Sequence, residues 1–361
     1  MPNKADKASG RYQKLNQRDH ILLRPDSYVG SIEKVTEKLW VVDKRGQFQC
    51  KDVRYVPALY KIFDEILVNA SDNFVRDSSG MDTIRVDLDL DKGRISVMNN
   101  GKGIPIEQHK KHKMYIPEMV FGHLLTSDNY DDSQKKITGG RNGYGAKLTN
   151  IFSTKFKVET VNEDSGKKYV QEWSSNMKKA NKPDITRNNG DEYTKVTFWP
   201  DLAKFGMKKF DEDIASLFRK RVYDIAGCTP HGDKHGIKTY LDGKKLEVRC
   251  FEDYIKMYTQ SREMFYERIN DRWEVGISFT DGDGFKQCSF ANAINTIKGG
   301  SHVSVITDQI TSAVLKRIGS KNKGGIDLKP IHIKNHLWVF VNALIENPSF
   351  DSQTKETLTT K

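Results

Sequence analysis

The sequence has few of the features that mark secreted or membrane proteins. Its 361 residues include only four cysteines, Cys50, Cys228, Cys250 and Cys288, which lie far apart and form no CxxC pair. This spacing fits reduced thiols better than a disulfide framework. No run approaches the roughly eighteen apolar residues of a membrane span, and the polar first ten residues lack the apolar core of a signal peptide. We therefore expect an intracellular chain that does not enter a membrane.

Negative charge is under-represented relative to positive charge. The chain carries 59 Lys and Arg residues against 48 Asp and Glu residues, a formal net charge of +11. This balance favours a polyanionic partner, nucleic acid before membrane, although many basic proteins bind neither. The chain is also long enough for two domains with separate cores.

Glycine is concentrated in one short stretch. Residues 139–147 read Gly-Gly-Arg-Asn-Gly-Tyr-Gly-Ala-Lys, and a helix-compatible apolar pattern follows. Glycine lets backbone amides approach an anion closely, so a phosphate-binding loop at a helix start is predicted. It is not a P-loop, because Ala146 stands where the lysine is required, and Leu148 replaces the third glycine of a dinucleotide fingerprint. A flexible connection is the alternative interpretation.

A helix predicted over residues 59–76 carries two stripes. Its apolar residues recur at helical spacing and predict a core-facing side. A polar stripe runs beside them rather than opposite: Glu65, Asn69, Asp72, Asn73 and Arg76. A solvated face with Asp72 pairing Arg76 is one interpretation. The two asparagines, which are poor helix formers, favour a cleft with a ligand instead.

Residues 84–90 and 94–98 predict a β-hairpin that ends at Asn99. The loop that follows, residues 99–105, places side-chain amides at the strand end. An amide there could both donate to and accept from an adenine edge. An ordinary turn rich in Asn and Gly is the alternative.

These segments occur in the order found in the ATP-binding fold shared by gyrase-type topoisomerases, MutL, heat-shock chaperones and sensor histidine kinases. Residues 65–70, 99–105, 138–147 and 353–355 resemble more closely the N-terminal ATPase region of eukaryotic DNA topoisomerase II. The resemblance implies an α/β (α+β) fold. An N-terminal arm over residues 1–15 would precede a two-layer sandwich ATP-binding domain over 16–243 and a smaller α/β transducer domain over 244–361.

The resemblance also implies roles for particular residues. Glu65 would be the general base that activates water for attack on the γ-phosphate, and Asn69 would be the Mg²⁺ ligand. Asn99 would read the adenine edge, with Thr194 helping to hold the base. Lys355, with Gln353, would reach the γ-phosphate from the second domain. The implied ATP-binding residues are Tyr12, Asn69, Asp72, Asn73, Arg76, Asn99, Ser127, Asn129, Arg141, Asn142, Gly143, Tyr144, Gly145, Lys147, Thr194, Gln353 and Lys355.

Two segments depart from the family pattern. Asp128 stands where relatives usually have a small hydroxyl residue, and an acidic group beside phosphates would be repulsive. The basic stretch over residues 316–325 resembles a loop that faces DNA in relatives, but Gly319 and Ser320 replace residues that are often lysine. Lys321 and Lys323 are the DNA contacts implied there, and a merely solvated charge run is the alternative.

Two further patterns suggest metals only weakly. Cys228, His231 and His235 lack a second ligand pair at zinc spacing, so an ordinary polar loop is predicted. Residues 281–284 begin like a calcium loop but lack its later acidic ligands, so a hairpin turn is predicted between strands at 273–279 and 287–290.

The resemblance implies that ATP closes two copies of the chain into a homodimeric gate that captures double-stranded DNA, and that hydrolysis resets it. The arm around Tyr12 would reach the partner's nucleotide. A nuclear location and a longer enzyme, whose DNA-cleaving part lies elsewhere, follow from the same resemblance. A MutL-like or chaperone-like ATPase, or a non-catalytic nucleotide-gated DNA clamp, remains the alternative.

Overall fold

The computed structural model describes residues 14–77, 79–126, 136–140, 143–229, 237–260, 262–319 and 328–361. The helices are α1 Gln17–Leu23, α2 Pro57–Arg76, α3 Ile116–Gly122, α4 Gly145–Ile151, α5 Glu212–Cys228, α6 Phe251–Thr259, α7 Ser301–Gly319 and α8 Pro330–Lys334. The strands are β1 Val35–Val42, β2 Phe48–Tyr55, β3 Thr83–Asp89, β4 Arg94–Asn99, β5 Ser153–Asn162, β6 Lys167–Ser174, β7 Lys179–Ala180, β8 Asp184–Arg187, β9 Tyr193–Pro200, β10 Lys238–Leu241, β11 Lys244–Lys245, β12 Met264–Asn270, β13 Trp273–Phe279, β14 Lys286–Ala291, β15 Ile294–Asn295 and β16 Leu337–Ala343.

The first sheet has the order β11-β10-β3-β4-β9-β5-β6-β7, and β8 also pairs with β6. Its pairings are antiparallel except for β10 beside β3. Helices α2 and α4 pack against each other and against the sheet, and α5 packs on α2. This is the two-layer arrangement that the resemblance implied, and the predicted hairpin of β3 and β4 is confirmed.

Helix α2 begins with Pro57 in its first turn, where proline's missing amide costs no hydrogen bond. Its apolar stripe is buried as predicted. The polar stripe is not simply a solvated face, because Glu65 and Asp72 are each only 3% exposed. Buried carboxylates need partners, and those partners define the site.

The second sheet has the order β12-β13-β16-β14-β15. The predicted hairpin between β13 and β14 is wrong, because β16 lies between them, antiparallel to β13 and parallel to β14. All seven residues of β16 are buried, with α7 packed on this strand and α6 packed on β13. A continuous apolar run is typical of such a central strand.

The hairpin of β1 and β2, which the sequence did not predict, packs on α5 and against the second sheet. Trp40 stacks on Trp338 of β16 at 5.6 Å between ring centroids, and Phe48 meets Tyr258 of α6 edge-on at 4.9 Å. These aromatic pairs anchor the hairpin to the second sheet. None of the described helices is long and apolar enough to cross a membrane.

Candidate functional site

Glu65 is the centre of the site and lies in the middle of α2. Its Oε1 is 2.9 Å from the Lys61 Nζ, one helical turn earlier, and 3.6 Å from the Lys355 Nζ. Burial alone would raise the pKa of Glu65, but the charges of Lys355 and Lys61 outweigh it and hold the pKa below its ordinary value. The carboxylate is therefore ionised at neutral pH.

Gly145, the first residue of α4, lies directly against this carboxylate. A Cβ at this position would come within 2.2 Å of the Glu65 Oε2. Glycine is therefore required for the loop and the helix start to approach Glu65 so closely. Lys147, only 2% exposed, donates to the carbonyls of Thr126 and Gly143 and so ties the loop together.

Asp72 holds the first two glycines of the same loop. Its Oδ1 accepts from the Gly139 amide at 2.7 Å, and its Oδ2 accepts from the Gly140 amide at 2.8 Å. Burial raises the pKa of Asp72 and outweighs the opposing effects of Arg76 and the two amides. The carboxylate fixes the start of the glycine loop to α2.

A cluster of amides and hydroxyls lies where the ends of β4 and β9 meet α2. Asn99, at the end of β4, accepts from the Asn73 Nδ2 at 2.8 Å, and it pairs across the sheet with Thr194 of β9. The Thr194 hydroxyl lies 2.9 Å from that of Thr160. Asn73, one of the implied ATP-binding residues, thus contacts Asn99. These groups both donate and accept, which suits a nucleobase edge.

Asn69 lies on α2 between these two regions, one turn from both Glu65 and Asn73. Its side chain is exposed, and it makes no hydrogen bond among the residues that the structure describes. Its oxygen lies on the side of Gly140, since a Cβ there would be 3.9 Å from the Asn69 Oδ1. An amide oxygen so placed is available to a hard cation.

Lys355 enters the site from the segment that follows the second sheet. It has a left-handed backbone, with φ of +61°, and is 6% exposed. Its Nζ donates to the Gly139 carbonyl at 3.3 Å as well as approaching Glu65. Strained non-glycine backbone of this kind persists where surrounding contacts enforce it. Gln353, two residues earlier, is partly buried in the same segment.

Some predicted residues lie outside the described part of the chain. They are Tyr12, Ser127, Asp128, Asn129, Arg141, Asn142, Lys321 and Lys323, together with His231 and His235 of the excluded zinc pattern. Within the described residues no group of three His, Cys, Asp or Glu side chains could hold a metal ion. Gly143 and Tyr144 lie just before α4, and the Tyr144 hydroxyl accepts from the Gln17 Nε2 at 2.9 Å.

Sequence reasoning missed three residues in or near the site. Lys61 contacts Glu65, Arg221 contacts the neighbouring Asp64, and Asn292 contacts Thr138 just before the glycine loop. Lys61 could have been found, because it is four residues before Glu65 and continues the same stripe. Arg221 and Asn292 could not, since they come from distant segments and meet the site only in the folded chain.

Comparisons with known proteins show which family this chain resembles. Residues 56–204 match the family of histidine kinase-, DNA gyrase B- and HSP90-like ATPases, and residues 236–361 match DNA gyrase B. The crystal structure of the ATPase region of Saccharomyces cerevisiae topoisomerase II is 51% identical, with a TM-score of 0.92, covering 98% of this chain and 91% of that one. The chain belongs to the family of topoisomerase II ATPase regions.

Full-length members of the topoisomerase II family are much longer than this chain. DNA topoisomerase 2 of Drosophila melanogaster is 51% identical over 99% of this chain and 25% of the relative. Human DNA topoisomerase 2-alpha is 51% identical over 96% of this chain and 23% of the relative. The chain thus spans about a quarter of the length of these curated relatives. The predicted resemblance and fold class are confirmed.

Proposed function

We propose that this topoisomerase II ATPase region binds ATP and hydrolyses its γ-phosphate. The observation that carries the proposal is the buried, ionised Glu65 at the closest approach of the glycine loop and of Lys355. An ionised carboxylate can orient a water molecule and accept its proton. Lys355 is placed beside the same carboxylate, where a positive charge would also stabilise a terminal phosphate.

The donor set fits ATP from end to end. Asn99 and Thr194 would hold the base, with Asn73 beside them, and Asp72 would position the amides of Gly139 and Gly140 near the phosphates. The loop through Gly143, Tyr144, Gly145 and Lys147 would close over the phosphate chain, with Arg141 and Asn142. Arg76, Ser127, Asn129 and Gln353 would complete the contacts that the resemblance implies.

Asn69 fits a magnesium ion, because its oxygen has no hydrogen bond among the described residues and lies on the side of Gly140 in the glycine loop. Mg²⁺, when bound, neutralises charge on phosphate oxygens and favours transfer of the terminal phosphoryl group. The remaining ligands would be water and phosphate oxygens, as is usual for this ion.

We further propose that ATP joins two copies of the chain into a gate around double-stranded DNA. The positive net charge and the family membership support this proposal. Tyr12 of the arm would reach the partner's nucleotide, and Lys321 and Lys323 would contact phosphates of the DNA without reading its sequence. A domain boundary near Gly243 and a nuclear location complete the proposal.

Phosphate release tests the hydrolytic part. We expect steady release from ATP with Mg²⁺ present and only background release when EDTA removes the ion, because the neutral amide of Asn69 cannot replace the positive charge that Mg²⁺ places beside the phosphates. The matched measurement is binding of a non-hydrolysable ATP analogue with Mg²⁺. Binding without any turnover in Mg²⁺ would contradict hydrolysis and favour the non-catalytic clamp.

A further inference from the structure

Buried charged side chains form a row that begins at Glu65. The proposed nucleotide site does not include the residues at the other end of this row. Lys61, Asp64 and Arg221 are each at most 5% exposed. Burying charges destabilises a fold unless each is paired, and apolar side chains of similar volume would often serve stability as well. The arrangement of these charges therefore calls for a role beyond packing.

The row is continuous from the carboxylate of Glu65 to α5. The Lys61 Nζ lies 2.9 Å from the Glu65 Oε1 and 3.0 Å from the Asp64 Oδ2. The Asp64 Oδ1 accepts from the Arg221 Nε at 2.6 Å. Lys61 is thus shared between two carboxylates. The positive charge of Arg221 beside Asp64 weakens the attraction of Asp64 for the Lys61 ammonium group, for which Asp64 and Glu65 compete.

Arg221 also reaches the second sheet. Its Nη2 donates to the carbonyl of Ala293 at 2.7 Å. Ala293 and Asn292 form the two-residue turn between β14 and β15, with φ of +60° and +52°. Positive φ at both positions is the geometry of a tight hairpin turn, so the carbonyl direction is well defined. The hydrogen bond of the Arg221 guanidinium therefore depends directly on the position of this turn.

The same turn is fastened to both segments that meet at Glu65. The Asn292 Nδ2 donates to the Thr138 carbonyl at 3.2 Å, immediately before the glycine loop, and to the Ile345 carbonyl at 2.9 Å. Ile345 follows β16 on the way to Lys355. A displacement of the second sheet would thus move the turn, the loop and the lysine segment together.

We propose that Arg221 is a positioning residue that couples the placement of the second sheet to the orientation of Glu65. This inference rests on the proposed function of Glu65. With Ala293 in place, Arg221 is held against Asp64, so Asp64 attracts Lys61 less strongly and Lys61 keeps its contact with Glu65. When the turn moves away, Arg221 loses its backbone acceptor, Asp64 draws Lys61, and Glu65 loses the contact that orients it.

Two substitutions test the coupling. Arg221→Met removes the contacts with Asp64 and Ala293, and also a longer ion pair of 3.8 Å with Asp224. Arg221→Lys keeps a positive charge but cannot reach Asp64 and Ala293 with a rigid fork. We expect kcat for ATP to fall between about 10-fold and 100-fold in Arg221→Met, as for other small misplacements of catalytic groups, with partial recovery in Arg221→Lys. The affinity for a non-hydrolysable ATP analogue should not change, because none of these contacts faces the nucleotide.

Arg219→Met is the matched control on the same helix. The Arg219 side chain is only 11% exposed, and it donates to the Glu212 Oε1 at 3.0 Å rather than to Asp64 or Asp224. Its loss should lower the melting temperature but leave kcat unchanged. If Arg221→Met is unfolded, its melting curve shows this. The comparison of kcat between Arg221→Lys and the control then tests the coupling.

The outcomes separate the coupling from the proposed function. If Glu65→Gln loses turnover while folded Arg221 variants keep the native kcat, the coupling is wrong and the hydrolytic role of Glu65 stands. If Glu65→Gln keeps full turnover, Glu65 is not the general base, and the coupling that rests on this role is wrong as well. A kcat loss of equal size in Arg219→Met would also overturn the coupling, since it would indicate a general effect of disturbing α5.

Discussion

Replacing Glu65 with glutamine is expected to lower ATP turnover by about a thousandfold, within the range for loss of a general base. Glutamine has nearly the same shape, so Gly145 and the glycine loop can stay where they are. It carries no negative charge, however, and cannot accept the proton of the attacking water. Phosphate release and direct binding of an ATP analogue are the two measurements, and binding should persist.

A surface carboxylate provides the matched control for that experiment. Glu172 of β6 forms a partly exposed ion pair with Lys155 at 3.0 Å, far along the sheet from α2. Glu172→Gln loses one negative charge just as Glu65→Gln does, and its turnover should remain that of the native chain. Native turnover in Glu65→Gln would remove Glu65 from the mechanism.

Replacing Lys355 with methionine is expected to lower turnover by between about 100-fold and 1,000-fold, the range for losing one preorganised stabilising group. Methionine fills a similar volume in this buried position but cannot donate to the Gly139 carbonyl or carry the charge beside Glu65. Lys298→Met is the control, because it removes only an exposed ion pair with Glu356 of the same segment. Equal turnover in both variants would contradict the role of Lys355.

The pH dependence of the residual activity gives a second readout for Lys355. In the native chain Lys355 and Lys61 hold the pKa of Glu65 below its ordinary value against the effect of burial. Turnover should therefore fall only when the pH drops through that lowered pKa. Without Lys355 burial is opposed by Lys61 alone, so the pKa of Glu65 rises and the acidic limb of kcat moves to higher pH. An acidic limb that does not move would contradict this electrostatic role.

Local sequence patterns were sufficient to predict the helix, the hairpin and the loop that carry the site. The 3.6-residue period of α2, the alternation in β3 and β4 and the glycines before α4 each depend on neighbours in sequence, and each is found. The stripe containing Glu65 and Asn69 was also readable, because a helix places residues four apart on one face.

Long-range pairing explains what the sequence did not predict. β13 and β14 do not pair with each other, because β16 lies between them and comes about fifty residues after β14 in the chain. No local turn pattern encodes this arrangement. The contact of Asp72 with the amides of Gly139 and Gly140 joins two separate segments, whereas the sequence offered only its neighbour Arg76. Arg221 meets Asp64 from another helix, so its role appears only in the folded chain.

Solution mass by sedimentation tests the central proposal, an ATP-operated gate, most directly. The chain is measured with and without Mg²⁺ and a non-hydrolysable ATP analogue, with nucleotide binding verified in the same samples. We expect a monomer without nucleotide and a dimer only when the analogue and Mg²⁺ are both present. A mass that does not respond to bound nucleotide would leave an ATPase but contradict the gate.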